Sequence, residues 1–342
     1  MNRIRNITKT LFVVASTFAA ASAAENPGLP PLQMDLPKLS LTEFAELFES
    51  SKRWGEFGET DELGALNLIT PQTRVAAAAL VQNGASVSLS NPLSKTVAGN
   101  FIEPLGHQTF VFDLPPGFDG GETAAGDVFN INYHGGIHTH MDGVAHFGWR
   151  GKLYNGFDFN PKKDGFPHVG VEHIAQHGVF GRAVLVDLPR LYKVPYLAPG
   201  TAITAKHLEA WEQQTGTKVQ SGDILLLRVG RWQLANENAA YDALEATAGL
   251  HASVAPWLRA RGVAAIGCDA ISDVMPSRVA NVFNPVHTLA NAALGIPIFD
   301  HLQLDEAAAT AARLNRHTFL FTAAPLNIEG ATGSPLTPLA IF

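Results

Sequence analysis

The stretch "YHGGIHTHMDGVAHF" (133–147) brings His134, His138, His140, Asp142 and His146 into one short span, four of the chain's thirteen histidines and an aspartate. Imidazole nitrogens and carboxylate oxygens form a donor set that suits Zn2+ or Mn2+ better than a thiol-seeking metal. In an extended segment, residues i, i+2 and i+4 share a face, which would align His138, His140 and Asp142. Gly143 ends the extension, and His146 returns from beyond a turn, where an imidazole suits proton transfer. The plain alternative is a polar loop rich in histidine. Clustered imidazoles and carboxylates are costly to bury without a compensating partner, and this favours a metal. No GxSxG elbow offers a serine nucleophile. The one cysteine, Cys268, ends the apolar run "VAAIGC" and reads as a buried structural thiol.

Strands and helices must alternate to position these groups. Ser40 followed by Glu43 is a capping box that opens a helix at "LTEFAELF". Thr70-Pro71 opens a second helix, running to Gly84. "ASVSL", "VFNINYH", "RAVLVDL", "DILLLRVG", "VAAIGC", "IPIFD" and "HTFLFTAAPL" read as strands. "TAKHLEAWEQQTG", "HASVAPWLRARG" and "VHTLANAALG" read as helices. The mixture is α/β. No boundary follows residue 40, so 41–342 is expected to be one domain.

The N-terminus carries a different message. Arg3, Arg5 and Lys9 precede the apolar run "LFVVASTFAA" and the small residues "ASAA". That is the layout of a secretory signal peptide over 1–24, and the run is too short for a membrane anchor. Residues 25–40 form a Pro-rich leader, a tether or a surface arm. Cleavage lowers Lys+Arg from 24 to 21 against 31 Asp+Glu, moving the net charge from -7 to -10. The mature chain is therefore expected in the periplasm, with no membrane association after cleavage. So acidic a surface argues against nucleic-acid binding. A single cysteine excludes an internal disulfide.

Two metal-hydrolase signatures fit only in part. "HTHMD" begins the HxHxDH signature of metallo-β-lactamase-like hydrolases, but Gly143 stands where that signature needs a histidine. The HxH of amidohydrolase barrels normally lies near the start of the fold, unlike here. A fuller resemblance is to the metal-dependent cyclase family, which includes bacterial kynurenine formamidases and isatin hydrolases. Its THxDxxxH core is met at every specified position by "THMDGVAH" (139–146). "WGEFGETDELGALNLITP", "GKLYNG", "GDILLLRVGR", "GCDAISD" and "NPVHTLANAALGIPIFDHLQL" are similar to further segments of the long-chain branch. Together they span roughly residues 52 to 305.

The resemblance implies a swivelling β/β/α-type single domain, assembled as a homodimer or homotetramer. It implies that His140 and Asp142 are metal ligands and that His146 is the acid/base. The upstream ligand of kynurenine formamidases falls on Gly136, so His134 takes its place, with His138 as rival. His287 and Asp300 match the C-terminal ligands, although Asp300 stands where Glu is usual. Asp269, Ser272 and Asp273 are expected near the cavity as hydrogen-bonding support. Phe147, Trp149, Tyr154, Phe157 and Phe159 follow the site and would form a pocket for a flat substrate. The implied activity is metal-dependent hydrolysis of a C–N bond in a small aromatic or cyclic amide. A lactone or cyclic ester hydrolase on the same site is the alternative, as is a periplasmic metal- or ligand-binding protein without turnover. An intact His146 argues against a pure binder.

Overall fold

The computed structural model describes residues 28–95, 104–117 and 120–342. The expected signal peptide lies outside the described residues. In chain order the strands are β1 (Ser86–Ser88), β2 (Gly106–Val111), β3 (Ala125–Asn130), β4 (His140–Asp142) and β5 (Val179–Asp187). They continue as β6 (Ala202–Ile203), β7 (Ile224–Arg228), β8 (Gly249–Leu250), β9 (Ala265–Cys268) and β10 (Ile298–Asp300). The last are β11 (Thr318–Ala323), β12 (Gly333–Pro335) and β13 (Leu339–Ile341).

Nine of them form one mixed sheet, ordered β1-β13-β11-β5-β7-β9-β10-β4-β12. β5, β7, β9 and β10 run parallel through its centre. Antiparallel strands flank them on both sides. The centre is parallel because its strands are apolar on both faces, as in "ILLL" of β7.

Alternation along the strands splits the core in two. Val184, Val186, Leu225, Leu227, Ile266, Cys268 and Ile298 face one cluster. Ala183, Leu185, Ile224, Leu226, Ala265 and Phe299 face the other. The first face is covered by Phe44 and Phe48 of the helix Leu41–Ser51, and by Leu208 and Trp211 of the helix Ala205–Thr215. The second is covered by the helix Asp305–Leu314 and by Phe319, Phe321 and Phe342.

This parity positions the site. Met141 belongs to the second cluster, so His140 and Asp142 on either side of it point to the first face. β10 pairs with β4 so that Asp300 lies opposite His140 and Ile298 opposite Asp142. Residues paired in this way share a face. The sheet thus sets His140, Asp142 and Asp300 together.

Several elements differ from the sequence expectation. The helix opened by Ser40 forms with both bonds of its capping box. The helix from Pro71 ends at Ala78, because Leu80 and Val81 turn back to Ala77 and Ala78 in tighter i→i−3 bonds. The strand expected over "VFNINYH" begins earlier and ends at Asn130, since it pairs with β2 in a separate hairpin. "VHTLANAALG" winds as a short α-helical turn, Pro285–His287, into a π-helix, Thr288–Leu294. The described part of the leader is a strap rather than a tether. Tyr192 Oη donates to Pro30 O, Ala202 N to Gln33 O and Leu39 N to Arg278 O. Among the described residues no helix is long and apolar enough to cross a membrane.

Gly64 and Gly295 meet where the segment before the first sheet strand crosses the end of the π-helix, and Ala65 N donates to Gly295 O at 2.8 Å. Gly64 has φ +67, and a Cβ there would lie 2.2 Å from Gly295 O. Gly64→Ala is expected to cost about 3 kcal/mol, from left-handed strain plus overpacking against backbone. Gly55→Ala, at φ +76 with open surroundings, is expected to cost about 1 kcal/mol. Thermal unfolding of the two variants checks the difference.

Candidate metal centre

Each ligating side chain at the site is fastened on its outer side, leaving one atom to face inward. His140 Nδ1 donates to the carbonyl of His138 at 2.7 Å, so Nε2 is the inward lone pair. His134 Nε2 lies 3.0 Å from Thr332 Oγ1, beside β12, and Nδ1 faces inward. His287 Nδ1 meets Asp273 Oδ2 at 2.6 Å, leaving Nε2. Asp300 Oδ1 accepts from Ser272 N at 3.0 Å and Ser272 Oγ at 2.6 Å, leaving Oδ2. Such outward bonds set tautomer and ring orientation at metal sites.

The inward atoms converge on Asp142. Its Oδ1 lies 2.8 Å from His134 Nδ1, 3.3 Å from His140 Nε2 and 3.6 Å from His146 Nε2. Its Oδ2 lies 3.2 Å from His287 Nε2, which is also 3.2 Å from Asp300 Oδ2. Two donor sets share this carboxylate, His134–His140–Asp142 and Asp142–His287–Asp300. Asp142 Oδ1 and His134 Nδ1 are close and buried, yet neither has a hydrogen-bond partner. With His140 they supply three ligand atoms that all lie within 4.8 Å of one another. That is the geometry a cation satisfies, and nitrogen and oxygen donors fit a borderline or hard divalent ion. The structure thus brings together His134, His140, Asp142, His287 and Asp300.

The charges follow from burial and neighbours. Burial favours a neutral Asp142, but His146, His140 and His134 hold its pKa well below the usual carboxylate range. Burial opposes protonation of His287, yet Asp300, Asp142 and Asp273 outweigh it and raise its pKa well above that of a free imidazole. His146 goes the other way. Burial, reinforced by the neighbouring histidines against the pull of Asp142, pushes it down to about 3. Its ring stacks on His134 with centroids 3.9 Å apart.

His138 does not join the set. β4 begins at His140, and His138 sits in the bend before it, so the shared extended face stops short of it. Its contribution is the carbonyl that orients His140. Asp273 and Ser272 hold His287 and Asp300, and Asp269 accepts from the backbone of Val229, Gly230 and Arg231.

A cavity of ≈ 210 Å³ opens over the donors, walled by Phe147, Leu244, Ile271, Asn284 and His301. The aromatic pocket expected from the sequence is reduced to Phe147. Trp149 packs on Phe44 and Phe48. Tyr154 is fully buried and donates to Asp61 Oδ2 at 3.0 Å. Phe157 stacks on His168, and Phe159 is exposed on the surface. These rings follow the site in sequence, but the chain turns away into its own small cluster after Ala145. Leu244, Ile271, Asn284 and His301 escaped the sequence reading. Ile271 lies within the identified segment "GCDAISD", and Asn284 and His301 lie within "NPVHTLANAALGIPIFDHLQL"; Leu244 carries no local signal.

The Cyclase family ("Putative cyclase") matches residues 87–273. The chain belongs to this family. Among solved structures, one described as a novel cyclase shares 29% identity, covering 86% of this chain and 99% of that chain, with a TM-score of 0.76. Isatin hydrolase A from Ralstonia solanacearum is similar at 24% identity, covering 79% and 97%, with a TM-score of 0.55. Isatin hydrolase A from Labrenzia aggregata is similar at 18% identity, covering 79% and 98%, with a TM-score of 0.53. No curated protein matches the chain.

Three outcomes are expected from Mn2+ and Zn2+ titration of variants. His140→Ala abolishes stoichiometric binding, and Asp273→Asn weakens it about 10–100-fold by freeing His287, whereas Trp149→Ala leaves it unchanged; equilibrium dialysis reads all three. The raised pKa of His287 means that its Nε2 carries a proton near neutral pH, and a cation must displace it. Affinity is therefore expected to rise with pH, with proton release seen by calorimetry in buffers of different ionisation enthalpy.

Proposed function

We propose that this protein is a metal-dependent hydrolase that cleaves the C–N bond of a small cyclic or aromatic amide. The observation that carries the reading is the convergence of four side chains, His134, His140, His287 and Asp300, on buried Asp142, each of the four fastened from outside. The likeness in fold to isatin hydrolases supports a cyclic amide as substrate.

His134, His140, Asp142, His287 and Asp300 would hold Zn2+ or Mn2+. Such an ion supplies Lewis acidity, polarising a carbonyl and making water acidic enough to attack near neutral pH. The side chains do the rest. His146 stands 3.6 Å from Asp142 Oδ1 and is neutral, the form that can accept a proton and, holding it weakly, give it up again. It receives the proton of the attacking water and passes it to the departing nitrogen as the C–N bond breaks. The products are a carboxylate and an amine, joined in one molecule when the amide is cyclic. Phe147, Leu244 and Ile271 supply an apolar wall for the ring and exclude bulk water. Asn284 lines the same cavity, and its Oδ1 has no hydrogen-bond partner among the described residues, so it can accept from an amide N–H. At ≈ 210 Å³ the cavity is below the range that encloses drug-sized ligands, which favours one compact ring system.

His146→Ala is expected to keep the metal and lose about 100-fold or more in kcat, the range of general acid–base catalysis. The panel is isatin, N-formylkynurenine, a simple amide and a lactone, assayed with metal-loaded and chelator-treated protein. Turnover of an amide only when loaded is the expected result. Lactone turnover alone would replace amide by ester chemistry, and a loaded protein inert on the whole panel would make it a binding protein.

A further inference from the structure

The segment "GDILLLRVGR" ends on Arg231, a residue the ligand set leaves unused. Arg231 is 6% exposed and forms no ion pair among the described residues. A buried guanidinium without a carboxylate against it is expensive unless its donors are engaged. The nearest acid, Asp269, spends both oxygens on backbone N–H groups of Val229, Gly230 and Arg231. The terminal nitrogens of Arg231 go elsewhere. One donates to the carbonyl of Gly136 at 2.5 Å, and the other lies 3.0 Å from His301 Nδ1.

A guanidinium only donates, so His301 Nδ1 accepts and the ring carries its proton on Nε2. That ring in turn bonds the carbonyl of Gly135. His301 is fixed at every other point as well: its N donates to Ala270 O at 3.0 Å, and its carbonyl accepts from Thr139 Oγ1 at 2.7 Å. It holds this place at a left-handed φ of +56, a strained conformation for a residue with a Cβ. Two adjacent carbonyls, of Gly135 and Gly136, are therefore gripped by one buried pair. His134 stands at the head of that segment. It comes from a bend rather than from a strand, so no ladder of hydrogen bonds fixes its backbone.

We propose that Arg231, with His301, is a positioning residue for the metal centre, holding the 134–136 segment by its carbonyls so that His134 Nδ1 reaches Asp142. This rests on the hydrolase reading only in taking His134 as a ligand. A brace that merely supports the core would lower stability without acting through His134, and a double-mutant cycle separates the two.

The probe is Co2+, with affinity from equilibrium dialysis and coordination from the visible absorption of the bound ion. The proteins are the wild type, Arg231→Met, His134→Ala and the double variant, each checked by thermal unfolding. Arg231→Met is expected to weaken Co2+ binding about 10–100-fold, as loss of an outer support does. Its spectrum should take the form of His134→Ala, and the double variant should bind no more weakly than His134→Ala. Unchanged Co2+ affinity in Arg231→Met, or losses that add fully in the double variant, would overturn the proposal. Should Arg231→Met fail to fold, Arg231→Lys and His301→Gln take its place in the same cycle. A wild type that binds Co2+ but hydrolyses nothing removes the hydrolase reading and leaves this cycle to decide the proposal. A wild type that binds no Co2+ removes both.

Discussion

The site depends on one constraint: a buried carboxylate, Asp142, crowded by the ring nitrogens of four histidines. Bringing His134, His140, His146 and His287 within 3.6 Å of its oxygens costs desolvation for each group. The cost is tolerable because His134, His140, His287 and the neighbouring Asp300 each have a second, outward bond. Thr332, the carbonyl of His138, and the adjacent pair Ser272 and Asp273 come from three separate parts of the chain. The sheet then has the task of bringing those parts together.

It does so through register. β10 and β4 are antiparallel neighbours with Asp300 facing His140, and β12 on the other side of β4 carries the chain past Thr332. A slip of one residue in β4 would turn His140 and Asp142 into the opposite cluster and bring Met141 into the site. The apolar parity of β4, β9 and β10 forbids that slip, since Met141, Ala265 and Phe299 are all buried on the far side. Core packing and site geometry are here the same requirement.

His146 is tuned by this crowding. Four histidines near one aspartate compete for its charge, and His287 gains further from Asp300 and Asp273, which with Asp142 hold its pKa well above that of a free imidazole. His146 is left neutral. Two imidazoles of the same type thus acquire opposite proton affinities from their surroundings alone, the division of labour that acid–base catalysis needs.

Much of the chemistry was legible in order along the chain. Residue type and spacing in "THMDGVAH" sufficed for a nitrogen–oxygen donor set, and the resemblance of "NPVHTLANAALGIPIFDHLQL" pointed to the distant half of the site. Strand parity in "ILLL" and "VAAIGC" was also readable, because burial on two faces leaves an apolar run. The hairpin of β2 and β3 was not, since its faces are exposed and carry no apolar alternation. Nor was the pocket. Trp149, Tyr154 and Phe157 adjoin the site in sequence, but Trp149 packs on Phe44 and Phe48 and a turn after Ala145 sends Tyr154 and Phe157 into another cluster, while Leu244 and Ile271 arrive from remote segments. By itself the sequence determined which atoms are available as donors, because donor chemistry belongs to the side chain. Only the tertiary structure decided which nitrogen of His134 and His287 faces inward and which residues wall the cavity, because both are set by partners distant along the chain.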